Sequence, residues 1–211
     1  MLHESINFTD DGRVNMRTYV HDRTCDGTAL PKRPAIVVLP GGAYAYLSDK
    51  EGEPVALTFM KEGYNTFVLN YSVGEESVFP NPLDEVSSAI WMIRQHAEEW
   101  GSDPDAIVVM GFSAGAGVAA LAATQWNTPG LTERLGIPEG GNKHNAAVIA
   151  YGGTMYEGFF DDAKYVPPDL GKIARDSTPE WIMSNMSART CRRCSSGIAG
   201  TISMCPPGRP S

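Results

Sequence analysis

Hydrophobic and polar positions change their period several times along the chain, and each change marks an element. Alternating segments at Ile6–Phe8 and Val14–Val20, separated by Asp10-Asp11-Gly12, predict two strands joined by a hairpin turn. A loop-like stretch from Thr24 to Pro34 follows. Ala35-Ile36-Val37-Val38-Leu39 is then apolar at every position, the mark of a strand buried on both faces, and Pro40-Gly41-Gly42 closes it. Ser48 followed by Glu51 fits a capping box. A helix is predicted from Pro54 to Glu62, ended by Gly63, with a further strand at Thr66–Val73. The strongest helical period runs from Asn81 to Trp100, where Val86, Ala89, Ile90, Ile93, Ala97 and Trp100 form one apolar face. Asn81 suits the N-cap, Pro82 the first helical position, and Asp84 and Glu85 complement the positive end of the helix dipole. Gly101 stops this helix, Asp103-Pro104-Asp105 turns the chain, and Ile107–Met110 is a strand. A helix-compatible run continues through Ala116–Leu121, and Asn145–Tyr151 is another strand. Strands alternating with helices predict an α/β fold, with a mostly parallel central sheet covered by helices on both faces.

Composition narrows the class. The 211 residues suffice for one α/β domain with a sizeable core. A net charge of −8 argues against nucleic acid or an anionic membrane surface as a partner. No apolar run approaches the roughly 20 residues of a membrane-spanning helix. The N-terminal residues lack the basic-then-apolar pattern of a signal peptide, so a cytoplasmic location is expected.

The chemistry is concentrated at residues 107–117. The β-branched run Ile107-Val108-Val109-Met110 leads into Gly111-Phe112-Ser113-Ala114-Gly115, and small, helix-compatible residues follow. This is a G-x-S-x-G nucleophile elbow in its required strand–turn–helix setting. Gly111 and Gly115 lack the Cβ atoms that would clash in so sharp a turn. Acyl transfer through a serine needs a nucleophile, a base and donors for the developing oxyanion. Ser113 is the candidate nucleophile, and the amide of Ala114 is one candidate oxyanion donor. The second donor is expected from the loop after the first buried strand, Leu39-Pro40-Gly41-Gly42-Ala43-Tyr44, whose small residues allow close backbone approach.

With these motifs in order, the chain resembles the α/β-hydrolase superfamily. More narrowly, it is similar to bacterial acetyl-esterase and xylan-esterase-like serine hydrolases. The matching stretches are Val38–Tyr44, Glu53-Pro54-Val55-Ala56, Gly63-Tyr64 with Val68–Val73, Asp103-Pro104-Asp105 and Gly111–Gly115. They extend the resemblance over residues 1–187. Relatives with His-Gly-Gly-Gly fix the oxyanion loop through the histidine, whereas here Pro40 and Ala43 occupy the first and last of those slots. The resemblance implies that Gly42 and Ala43 face the oxyanion while Gly41 serves the turn. It also implies an acyl-enzyme mechanism with no metal and no organic cofactor.

The triad of this fold runs Ser, then Asp or Glu, then His. His144 is the only histidine after Ser113, and it precedes a strand. Sites of parallel sheets lie beyond the carboxyl ends of strands, so His144 is expected in a surface loop at the wrong end. His96 is expected to be solvated on the long helix. Nothing marks Asp161, Asp162, Asp169 or Asp176 as an orienting acid, so the triad acid and His remain unidentified. Residues 188–211 turn basic, with no acidic residue, where the resemblance would require two further strands carrying acid and base. No strand or helix period is evident there, and the composition is that of an aberrant or out-of-frame tail. Cys191 and Cys194 have C-x-x-C spacing, but the tail holds only one more cysteine, Cys205, and no histidine, so no zinc site is expected. Without the family's last strands, Ala146–Tyr151 would be an apolar edge prone to aggregation.

Two classes of function remain open. The first is a serine carboxylesterase cleaving short acyl esters, such as acetyl groups on carbohydrate, impaired by the unidentified acid and base. The second is a non-catalytic fragment or binding module. A prolyl-oligopeptidase-like peptidase shares the elbow, but usually carries a large extra domain for which this chain has no room.

Overall fold

The structure, a computed structural model, describes residues 1–22, 31–152 and 203–205. Among them the chain forms strands β1 (Ser5–Asn7), β2 (Asn15–Tyr19), β3 (Arg33–Leu39), β4 (Asn65–Asn70), β5 (Ser102–Phe112), β6 (Ala146–Ala150) and β7 (Ser203–Cys205). The helices are α1 (Glu53–Lys61), α2 (Asn81–Gln95), α3 (Ala97–Trp100), α4 (Ala114–Gln125) and α5 (Leu131–Leu135). The described strands make one sheet in the order β1-β2-β4-β3-β5-β6-β7. Its central strands β4, β3, β5 and β6 run parallel. The β1–β2 hairpin at one side and β7 at the other pair antiparallel.

The continuous apolar run of β3 explains its central place. Ala35, Val37 and Leu39 enter one core with Phe67, Leu69, Ile107 and Val109, against α2 and α4. Ile36 and Val38 face the opposite side, packed with Val68, Met110 and Ala56 of α1. Helices therefore lie on both faces, as expected. Below the strands' amino ends, Asn65 is wholly buried and fully used. Its Nδ2 donates to the Trp100 carbonyl (2.9 Å) and Ser102 Oγ (3.0 Å), and its Oδ1 accepts the His21 amide (3.1 Å). A buried side chain with all its polar atoms paired fixes the ends of β2, β4 and β5 relative to one another.

Several expectations are refined. The helix predicted from Asn81 to Trp100 breaks at His96, which leaves helical geometry (φ −95°, ψ 11°) and separates α2 from α3. Pro80 takes the N-cap position, and the Asn81 side chain instead donates to the Glu76 carbonyl. The expected strand Thr66–Val73 is Asn65–Asn70, because Tyr71 and Ser72 turn away to form side-chain bonds. The turn expected at Asp103-Pro104-Asp105 survives as a bulge inside β5: the register steps from Arg33 beside Ser102 to Ala35 beside Ile107, and Asp103 Oδ1 accepts the Asp105 amide.

The tail expectation is corrected in one respect. Ser203–Cys205 is a strand, and it pairs with Ala147–Ile149, so β6 is not a bare edge. Backbone pairing needs no side-chain periodicity, which is why a three-residue strand left no trace in the pattern. The boundary expected at residues 187/188, Cys25, Cys191, Cys194 and the four candidate aspartates lie outside the described residues. No helix among the described residues is long and apolar enough to cross a membrane.

Candidate active site

The carboxyl ends of the parallel strands bring four loops to one pole of the molecule. After β5 the chain turns at Ser113 with φ 50° and ψ −114°, and α4 begins at the next residue. A positive φ is rare for any residue with a Cβ, and such strain persists only where the surroundings impose it. Here they do. A Cβ added to Gly111 would lie 2.1 Å from the Gly115 carbonyl oxygen, and one added to Gly115 would lie 2.1 Å from the Leu39 carbonyl oxygen. The two glycines let α4 fold back against the ends of β5 and β3, and the residue between them takes the strain. The Ser113 amide is held by the Ala150 carbonyl at the end of β6 (3.0 Å). Ser113 itself is half-buried, and the Ala114 amide lies in the first turn of α4, where N–H groups have no intrahelical acceptor and the dipole favours negative charge.

The loop after β3 stands beside this turn because Leu39 pairs with Gly111 in the sheet. Gly41 is buried, and a Cβ there would lie 2.9 Å from Ser113 Cβ and 2.8 Å from the Phe112 carbonyl oxygen. Gly42 (φ 141°), Ala43 (φ 53°) and Tyr44 (φ 60°) then follow in left-handed geometry. The loop is pinned by its carbonyls: Gly42 O accepts the amides of Ala45 and Tyr46, Gly41 O accepts that of Ser48, and Pro40 O accepts the Tyr71 hydroxyl at 2.6 Å. The amides of Gly42 and Ala43 are donors in none of the loop's backbone bonds among the described residues. The sequence-predicted set Ser113, Ala114, Gly42 and Ala43 is thus gathered at one pole.

Glu85 and Glu51 each bring a hydrogen-bonded carboxyl group to the same pole. Glu85 on α2 accepts the Ser72 amide (2.8 Å) and hydroxyl; burial raises its pKa from 4.5 to about 7 despite these bonds, helped by the charges of Asp84 and Glu76. Glu51 does not complete the capping box. Ser48 makes no side-chain cap, and the Glu51 carboxylate instead accepts the Gly41 amide (2.7 Å) and the Tyr151 hydroxyl. Sequence reasoning missed this partner because capping-box spacing and a long-range contact to a glycine amide look alike in one dimension. Of the aromatic residues near the loop, Tyr44 and Phe112 pack against the two cores, while Tyr46 is exposed.

The histidines are elsewhere. His144 precedes β6 and so lies at the opposite pole, as its position predicted, but it is buried rather than on the surface. Asn145 explains this: its amide donates to the Ile107 carbonyl, and its side chain accepts the Ile107 amide, which draws the preceding loop into the body. Burial, with Arg94 and Lys143 nearby, lowers the His144 pKa to about 4. His96 ends α2, is exposed as expected, and bonds Glu99 at 2.9 Å. His21 follows β2, whose last residues pair with the amino end of β4, and His3 lies beside Thr18 and Tyr19. All four histidines of the chain therefore sit at the pole away from Ser113. Among the described residues, no group of three or more His, Cys, Asp or Glu could hold a metal ion.

Comparison with known proteins agrees with this architecture. The chain is 33% identical over 134 residues to endo-1,4-beta-xylanase B of Butyrivibrio fibrisolvens, covering 60% of this chain and 20% of that protein. It is 30% identical over 123 residues to the acetylxylan esterase of Xylanibacter ruminicola, covering 57% and 24%. The chain thus spans a quarter or less of these curated relatives. Among solved structures, the carboxylesterase Cest-2923 of Lactobacillus plantarum superposes with a TM-score of 0.69 at 25% identity, covering 86% of this chain and 67% of that one. An α/β-hydrolase enzyme from a Medee basin deep-sea metagenome is 39% identical, with a TM-score of 0.57, covering 61% and 53%. The fold is that of the α/β hydrolases, and, with residues 26–161 matching the BD-FAE family model, the chain belongs to that family of esterase-like hydrolases.

Proposed function

We propose that this chain carries the acylation machinery of a serine carboxylesterase for short acyl esters, such as acetyl groups on carbohydrate. The observation that carries this reading is the strained Ser113 between β5 and the amino end of α4, facing the left-handed Gly42–Ala43 segment. In the reaction, Ser113 Oγ attacks the ester carbonyl carbon and its proton leaves for a base. The carbonyl oxygen becomes an oxyanion, which the amides of Ala114, Gly42 and Ala43 stabilise. The C–O bond to the alcohol then breaks, the alcohol departs protonated, and water releases the carboxylic acid from Ser113. The acetylxylan esterase among the relatives supports a sugar as the alcohol half of an acetyl ester. No cofactor is required by these steps.

The remote histidines favour a second reading, a non-catalytic module. No imidazole of this chain stands at the Ser113 pole, and loss of the triad histidine in a serine protease removes about 10⁶-fold in turnover. An oxyanion hole and binding alone retain roughly 10³–10⁴-fold over water. Turnover of p-nitrophenyl acetate by the intact chain is therefore expected at that residual level, and with imidazole added as an external base it should rise above that of Ser113→Ala. Equal turnover by both proteins would sink the esterase reading and leave the non-catalytic one. Preferential cleavage of a proline-containing peptide amide would instead favour a peptidase.

A further inference from the structure

We propose that Glu51 is a positioning residue, whose carboxylate clasps the loop after β3 to the residue after β6 and so sets where the Gly42 and Ala43 amides stand relative to Ser113. This rests on the oxyanion reading given above. One carboxylate oxygen accepts the Gly41 amide at 2.7 Å, and the other accepts the Tyr151 hydroxyl. The clasp passes directly beside Ser113. A Cβ built on Gly41 would lie 2.6 Å from Glu51 Oε2 and 2.9 Å from Ser113 Cβ, so the glycine backbone, the carboxylate and the serine share one small space. Glu51 is itself anchored: its amide donates to the Ser48 carbonyl (3.1 Å), and the Ser48 amide donates to the Gly41 carbonyl (2.8 Å). The loop is thereby closed into a ring, with Gly41 held at both its amide and its carbonyl.

A ring of this kind is what the segment requires. Gly42, Ala43 and Tyr44 occupy left-handed geometry in succession, and two of them carry a Cβ. Such conformations relax unless outside contacts hold them. Hydrogen bonds to an ionised carboxylate are roughly twice as strong as neutral ones, so Glu51 is the strongest single restraint on the Gly41 amide. Tyr151 adds the second anchor. It too has positive φ (38°), and its ring lies 5.9 Å from that of Phe112, which precedes the serine. The Glu51 carboxylate thus joins the segments that follow β3 and β6, the two strands on either side of β5, and its hydrogen bonds go to Gly41 and Tyr151.

The test uses the full chain with Glu51→Ala, Glu51→Gln and Tyr151→Phe. Amide hydrogen exchange is followed in peptides covering residues 38–47 and, as a control, in peptides from α2. Glu51→Ala is expected to speed exchange in 38–47 by about tenfold or more while α2 is unchanged. Glu51→Gln, which keeps one acceptor oxygen, should restore part of the protection. Ser113-dependent turnover of p-nitrophenyl acetate, measured with imidazole as external base, should lose about 10–100-fold in kcat in Glu51→Ala, with KM nearly unchanged. Unaltered exchange in 38–47, or a change confined to KM, overturns the proposal. If Glu51→Ala fails to fold, Glu51→Gln and Tyr151→Phe decide by the same two measurements. If Ser113→Ala matches the wild type in ester turnover, the esterase reading fails, and the exchange result still decides whether Glu51 clasps the loop.

Discussion

Gly115→Ala is expected to destabilise this protein steeply. The new Cβ would lie 2.1 Å from the Leu39 carbonyl oxygen and 2.6 Å from that of Pro40. Both obstacles are backbone, so no rotamer change relieves the clash. Either α4 moves away from the end of β3, or the β3–β5 pairing at Leu39 and Gly111 opens. Overpacking a core typically costs about 1–3 kcal/mol, and a clash with two carbonyls belongs at or beyond the top of that range. In a chain of this size, the midpoint of thermal unfolding should fall by on the order of 10 °C. The movement also carries the Ala114 amide away from Gly42 and Ala43, so any Ser113-dependent turnover should be lost even below the new midpoint. Circular dichroism melting is the check. A midpoint within about 2 °C of wild type, less than a 1 kcal/mol change would give, would mean that the close approach of α4 to β3 is not as described.

The second large effect is a pair of opposed pH dependences. His144 is buried, and its pKa falls from 6.5 to about 4 through burial and the charges of Arg94 and Lys143. The unfolded chain binds this proton more readily, so stability is complete above pH 6.5 and is lost as pH falls towards 4. Glu85 behaves in the opposite sense. Its pKa rises from 4.5 to about 7 through burial, with Ser72 opposing the rise and Asp84 and Glu76 adding to it. The folded state holds this proton more readily, so stability is complete below pH 4.5 and is lost as pH rises through 7. Each contribution spans on the order of 3 kcal/mol, and between pH 4.5 and 6.5 their slopes cancel. Urea unfolding should therefore be nearly flat in that window for these two groups together. Glu85→Gln should expose the histidine, with stability rising as pH rises, and His144→Gln should expose the glutamate, with stability falling as pH rises. Superimposable pH profiles for Glu85→Gln and wild type would refute the account.

Much of this architecture could be read from local pattern. The buried run at Ala35–Leu39, the hairpin at Gly12 and the amphipathic face from Val86 to Ile93 each carry their period in adjacent residues, and each formed the expected element. Ser113 was legible because the elbow demands glycines at fixed offsets, and the clashes at Gly111 and Gly115 are the physical form of that demand. What escaped the sequence depends on contacts between distant segments. Glu51 carries capping-box spacing yet turns to Gly41, because the loop after β3 offers its carboxylate a buried amide. His144 looked like a surface residue because its Gly- and Asn-rich neighbours read as a loop. The loop is drawn inwards by Asn145 on Ile107, and by the Asn142 side chain bonded to the Trp126 carbonyl and Ser87. The strand at Ser203–Cys205 depends on a free edge elsewhere, which no window of sequence contains.

The sheet order also governs when the site can come into being. The β1–β2 hairpin closes through near neighbours in the chain, whereas Leu39 meets Gly111 only after α1, β4, α2 and α3 have intervened. Joining segments so far apart carries a loop-closure entropy that local pairing does not, and contacts of that kind set the pace of folding. During synthesis, β3 leaves the ribosome long before β5, so the Gly42–Ala43 segment must wait beside a vacant position in the sheet. Ser113 acquires its strained geometry only when β5 fills that position and Ala150 of β6 accepts its amide. The site is thus among the last features of the fold to form, and a nascent chain stalled before β6 would carry the serine without its elbow.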